Sequence, residues 1–303
     1  MRMMVTGGSG FIGSHVVDKL KDAGHDVVVL DHGVKPHRDD VGFEDVDVVD
    51  YAAVLGATEG FDYVFHLAAM ANVNHAFADP VYAVKLNLMG TVNVLEAARQ
   101  NGVGRVVFAS TVWVYSGCNG TYVNEETPFY MPGAGHVYSS SKIAGEFLVH
   151  DYFNLFDLPF TVLRYGIPYG PRMRKELVIP IFIDKALDGE ALTVAGDGRQ
   201  YRNFIYVEDL ADAHVLCLGR EAENQVFNLE GMRRITIKEV AETVQSLVQR
   251  DVRIDTVPAR PGDYRGKEAS NDKIKRVLGW EPTVDFEAGM KKTVEWFETQ
   301  RMA

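Results

Sequence analysis

Seven residues near the amino terminus, Gly7-Gly8-Ser9-Gly10-Phe11-Ile12-Gly13, constrain this chain more than any other stretch. They follow a short apolar run, Arg2 to Thr6, and lead directly into a helical pattern, Phe11 to Ala23. A strand that turns tightly on glycine into a helix aims backbone N–H groups and the positive end of the helix dipole at one point, which suits a pyrophosphate. Alone, such a triplet fits a surface turn equally well. Its context is more specific, because the second predicted strand, Asp26 to Leu30, is followed by Asp31, 18 residues past Gly13. A carboxylate there accepts hydrogen bonds from an adenosine ribose and repels a 2′-phosphate, which favours NAD over NADP, although Lys35 and Arg38 stand nearby. Asp50 ends a third predicted strand, Asp45 to Val49, and fits either an adenine contact or a cap for the helix from Tyr51.

The alternation continues with apolar runs at Asp62 to Leu67, Gly104 to Ser110 and Phe160 to Leu163, separated by helical stretches Pro80 to Asn101 and Val137 to Leu155. Strands that are apolar on both faces, divided by helices, predict an α/β fold of the Rossmann type, a doubly wound parallel sheet. Asp79 is the expected N-cap of the long helix and Gly102 its stop. Shorter strands follow at Leu192 to Val194, Asn203 to Tyr206, Val226 to Leu229 and Val252 to Thr256. Thr236-Ile237-Lys238-Glu239 forms a capping box for a helix to about Arg250, and Asp285 caps a last helix through Trp296. The Gly/Pro-rich turn near Gly166 to Pro171 divides a first domain, 1–167, from a smaller C-terminal α/β substrate domain, 168–303, with segments crossing back and a cleft between them.

The formal net charge is −11 and 47% of residues are hydrophobic. That balance supports a buried core and argues against nucleic acid or an anionic membrane surface as partner. Two cysteines, Cys118 and Cys217, build neither a disulfide framework nor a zinc site. With no long apolar run, a cytoplasmic location is expected.

Tyr138-Ser139-Ser140-Ser141-Lys142 places a phenol and an ammonium four residues apart on one helix face. The pair follows the fifth strand, whose carboxyl end carries Ser110 and Thr111 on the edge where doubly wound sheets bind ligands. A phenol with its usual pKa near 10 becomes a usable base beside an ammonium and a positive nicotinamide. Tyr138 is thus a candidate to remove a hydroxyl proton, with Thr111 and Ser110 holding the same oxygen.

These residues resemble the extended short-chain dehydrogenases/reductases, specifically the NAD-dependent nucleotide-sugar epimerase/dehydratase group. The resemblance runs over nearly the whole chain: the glycine loop, His66-Leu67-Ala68-Ala69, Asn87 to Glu96, Phe108 to Ser116, Tyr138 to Lys142, Leu163 to Pro171, Gly196 to Asp209 and Pro258 to Asp263. It implies a catalytic set of Thr111, Tyr138 and Lys142. For NAD it implies Gly7, Gly10, Phe11, Ile12, Gly13, Asp31, Asp50, Leu67, Ala68, Ala69 and Asn87, together with Tyr138 and Lys142. For a nucleotide sugar, a UDP-sugar first of all, it implies Ser110, Thr111, Arg202, Arg260 and Asp263, the two arginines clasping the diphosphate. No metal is expected. Helices Pro80 to Asn101 and Val137 to Leu155 resemble the pair through which family members form a homodimer.

Dehydratases of this kind carry Asp-Glu directly after the catalytic Thr, and the decarboxylases carry a Glu in that stretch. Here Val112-Trp113 offers no acid or base. A Cys/His pair for 3,5-epimerisation has only a distant counterpart in Cys118 and His136. C4 epimerisation of a nucleotide sugar through a 4-keto sugar is the leading expectation, with a ketoreductase or dehydrogenase next and a non-catalytic NAD-binding protein last. Two departures bear on substrate: Ile167 replaces the Asn of the usual Arg-Tyr-Phe-Asn-Pro, and Lys267 stands at a position tied to sugar size, where it either meets an acidic sugar or faces water.

Overall fold

The computed structural model describes residues 1–248, 250–258 and 267–302. Seven parallel strands form one sheet: β1 Arg2–Thr6, β2 Asp26–Asp31, β3 Gly42–Asp45, β4 Tyr63–His66, β5 Arg105–Thr111, β6 Phe160–Tyr165 and β7 Gln225–Leu229. Their spatial order is β7-β6-β5-β4-β1-β2-β3. The order reverses at β1, next to which β4 and β2 lie on opposite sides, so the carboxyl ends of these strands open a crevice beside the glycine loop. The central strands are mostly apolar because helices cover both faces.

The third strand lies earlier than the sequence pattern places it. Gly42–Asp45 pairs with β2, whereas Val46 to Val49 form a connection to the next helix. Val48 is apolar because its side chain is buried beneath the Gly90–Gln100 helix, where Asn93 Nδ2 donates to its carbonyl at 2.9 Å. The long helix also departs from expectation: Pro80–Val84 and Gly90–Gln100 are joined by a π turn, Lys85–Met89. Asp79 caps its start as expected, accepting from Tyr82 N at 2.9 Å.

A second core gathers Tyr169, Phe182, Ile183, Leu192, Phe204, Val240, Val244 and Phe286. Around it, Phe204–Tyr206 runs parallel to Ile167–Tyr169, and Ile254–Val257 parallel to Leu192–Ala195. The capping box at Thr236 and Glu239 is complete, and its helix spans Ile237–Leu247. β7, from the carboxyl-terminal half of the chain, joins the first sheet beside β6. The chain therefore crosses back after residue 168.

A buried polar network ties these parts together. Arg164 on β6 reaches both carboxylate oxygens of Glu146, with its Nη2 donating at 2.6 Å, and its Nη1 donates to the Tyr115 hydroxyl at 2.5 Å. That hydroxyl donates to Asn228 Oδ1 on β7 at 3.0 Å, and the Ser110 hydroxyl on β5 donates to Glu146. Removing one member of a buried ion pair leaves an uncompensated charge in a low-dielectric interior. Arg164→Met is expected to lower unfolding stability by about 3–5 kcal/mol, and Arg164→Met with Glu146→Leu to recover part of it. Urea titrations of the two variants check this.

Candidate active site

A cavity of about 670 Å³ runs along the carboxyl edge of the sheet, from the glycine loop past Thr111 and Tyr138 to Arg202. Gly7, Gly10, Phe11, Ile12 and Gly13 line one end, with Asp31, Leu67, Ala68 and Ala69 beside them. Two of the glycines are required by contact. Gly7 has φ +71°, and a Cβ on Gly13 would lie 2.1 Å from the Gly7 carbonyl oxygen. The loop can therefore close onto the start of the Phe11–Asp22 helix only without side chains, which leaves a backbone cradle at a helix N-terminus suited to a pyrophosphate. Asp31 is oriented by Ser9 N at 3.0 Å and His32 N at 2.9 Å. Arg38 is committed elsewhere: Nε and Nη2 bind Asp40, and Nη1 binds Asp22 at 3.0 Å.

Two expected cofactor contacts lie outside the lining. The Asp50 carboxylate accepts from Ala53 N at 3.1 Å and so caps the Tyr51–Ala57 helix, while Asp47 and Val48 form the wall there. Asn87 is buried and binds Met70 N at 2.7 Å, Met70 O and the Ser141 hydroxyl, which fastens the loop after β4 to the catalytic helix. His66, the last residue of β4, is fully enclosed between the Thr6 and Thr91 hydroxyls at 2.8 and 3.0 Å. Burial lowers its pKa to about 3, so it carries no charge.

Thr111, Tyr138 and Lys142 meet at the middle of the cavity. Thr111 is the last residue of β5, and Tyr138 and Lys142 project from the first turns of the Val137–Phe156 helix. Burial pushes the Tyr138 phenol up to about 12; a hydrogen bond from Thr111 and the charge of Arg174 act the other way. Burial brings Lys142 down to about 8, with the Glu146 carboxylate opposing it, and its Nζ donates to Ala109 O at 2.8 Å. Ser110 lines the cavity, but its hydroxyl is spent on Glu146.

Arg202 lines the far end, whereas Arg260 and Asp263 lie outside the described residues. Lys267 neither faces water freely nor reaches toward the cavity: its Nζ donates to the carbonyls of Cys118 and Gly120 at 2.5 and 2.6 Å. Cys118 is buried and its thiol donates to Pro128 O, so it does not pair with His136. Sequence reasoning missed Arg174, Asn72 and Asn74 in the wall. Asn72 caps the short Val73–Ala78 helix, and no spacing marks Arg174, which reaches the cavity only because the chain after β6 folds back over it.

A phenol acts as a base only when ionised. Loss of the Thr111 hydroxyl removes a bond that favours the phenolate, so the phenol pKa rises and the ascending limb of the pH–activity profile moves to higher pH. Thr111→Val and Arg174→Met are each expected to shift that limb upward, measured as kcat/KM against pH.

The family model for the NAD dependent epimerase/dehydratase family matches residues 3–229. The UDP-glucose 4-epimerase of Mycolicibacterium smegmatis is 33% identical, with 99% of each chain covered. UDP-glucuronic acid decarboxylase 1 of Danio rerio is also 33% identical, over 99% of this chain and 73% of the relative. A crystal structure of UDP-glucose 4-epimerase from Thermotoga maritima with UDP-glucose superposes with a TM-score of 0.92 at 32% identity, covering 99% of this chain and 100% of that one. The protein therefore belongs to the NAD-dependent epimerase/dehydratase family, an extended short-chain dehydrogenase/reductase whose cofactor is NAD.

Proposed function

We propose that the protein is a 4-epimerase of a nucleotide sugar, a UDP-sugar first of all, working through a transient 4-keto sugar. One observation carries the choice. Among the described residues, the carboxylates lining the cavity are Asp31 and Asp47, both near the glycine loop; the stretch around Thr111 and Tyr138 contains none. Val112 turns into a hydrophobic cluster, and Trp113 presents an indole to the cavity. Decarboxylases are among the relatives, so overall identity does not decide the reaction, but elimination of water needs an acid and a base at that point.

Bound NAD supplies the hydride acceptor and donor and adds positive charge beside the phenol. Tyr138 takes the proton from the C4 hydroxyl, and Thr111 holds the same oxygen by its hydroxyl. Lys142 holds the nicotinamide ribose. Once C4 is a ketone, rotation of the sugar within the cavity turns its other face to the cofactor side, hydride would return to that face of C4, and Tyr138 gives the proton back to the C4 oxygen. Arg202, with Arg260, holds the diphosphate, so the sugar can turn without the nucleotide leaving.

Purified protein is expected to interconvert C4 epimers of a UDP-sugar with no net change at the nicotinamide absorbance band, and Tyr138→Phe to lower kcat about 100- to 10,000-fold. A stoichiometric absorbance change would mark a ketoreductase instead, and inactivity on UDP, GDP, dTDP and CDP sugars would overturn the proposal.

The same reading includes a homodimer. Phe77 is 85% exposed, Val81 79% and Leu155 71%, and Met89, Phe147 and Phe156 are each about half exposed, on segments 73–100 and 137–156. Pairing these helices with a second copy would cover that apolar surface. Light scattering at micromolar concentration is expected to give twice the chain mass, and Phe77→Glu with Val81→Glu to give one.

A further inference from the structure

His136 caps the helix that carries Tyr138, accepting at Nδ1 from Ser139 N at 3.1 Å. A backbone N–H can only donate, so Nδ1 is unprotonated and the neutral ring carries its one proton on Nε2. Burial acts in the same direction, holding the imidazole below its usual pKa. Nε2 is shielded from solvent and meets no acceptor among the described residues. An N–H buried without a partner destabilises the fold, because its lost hydration is not replaced. Capping does not require this arrangement, since Asp caps a helix with a short side chain that carries no donor. The ring lies behind the cavity lining and packs against two of its residues: its centroid is 5.3 Å from Trp113 and 6.0 Å from Tyr138, stacked on the latter at 28°.

We propose that His136 is a specificity-determining residue whose Nε2–H donates to an oxygen of the bound sugar next to C4, with the Trp113 ring turning aside to admit it. The inference rests on the 4-epimerase reading for the identity of the reacting carbon. The neighbouring acceptors are then the hydroxyl on C3 and the one on C6, and the substrate class is a hexose that retains the oxygen His136 reads. A sugar lacking it leaves the donor unpaired, which is the strongest form of discrimination a buried polar group provides.

His136→Asn keeps a capping side chain while removing the distal N–H. In NAD-loaded enzyme its kcat/KM is expected to fall about 10- to 100-fold for UDP-glucose. For whichever of UDP-3-deoxyglucose and UDP-6-deoxyglucose lacks the acceptor, wild type and variant should be equal. A merely structural role would lower all three sugars alike, and that outcome overturns the proposal. A second readout does not need turnover. In ¹⁵N-labelled, NAD-loaded wild type, the His136 Nε2–H resonance, assigned by its loss in His136→Asn, should move on addition of UDP-glucose and not of UDP. A resonance indifferent to the sugar also overturns the proposal. Absence of wild-type turnover on every sugar would overturn the 4-epimerase reading instead, and the resonance would still decide the role of His136.

Discussion

Glu146 and Arg164 share a buried ion pair on which the placement of the catalytic helix depends. Each charge is tolerable in the interior only because the other is present, and because the hydroxyls of Ser110 and Tyr115 complete the hydrogen bonding. The pair lies one helical turn beyond Lys142, so it fixes the helix that presents Tyr138 and Lys142 against the edge of β5. Through Tyr115 and Asn228 it also fixes β7. A helix that slid along the sheet would break the bonds of Glu146 to Arg164 and to Ser110 together, which holds the 20-residue helix, and the phenol on it, in place.

The cavity then differs in character along its length. At the glycine loop it offers backbone donors and a helix terminus, with the Asp31 carboxylate held by Ser9 N and His32 N. In the middle it offers a buried phenol, an ammonium with a lowered pKa and no carboxylate among the described residues. At the far end and along the side stand Arg202 and Arg174. A protein of net charge −11 thereby presents local positive groups where doubly anionic ligands would lie.

Much of the fold was legible because its elements obey local rules. Apolar strands divided by helices, Asp79 before Pro80 and the Thr236/Glu239 box are short-range patterns, and each recurs in the structure near its expected place. The departures share one cause. Asp45 to Val49 read as a strand from its apolar residues, but the Val48 side chain is buried against a helix more than 40 residues away rather than within a sheet. The amide of Asn87, an expected cofactor contact, binds Met70 and Ser141. Lys267 admitted two readings, and the structure gives a third, because two carbonyls of the Cys118 to Gly120 loop fold beneath it.

The sequence by itself determined the parallel sheet, the glycine turn at a helix start and the Tyr138 and Lys142 pair on one helix face, since these depend on local pattern and spacing. Only the tertiary structure decided which polar groups are free to act. Ser110, Asp50 and Asn87 bind neighbours, whereas the Nε2 of His136 meets no partner among the described residues, and Arg174 enters the cavity from a distant segment. A hydrogen-bonding group has a fixed number of partners, and which of them it meets depends on chain segments far apart in sequence.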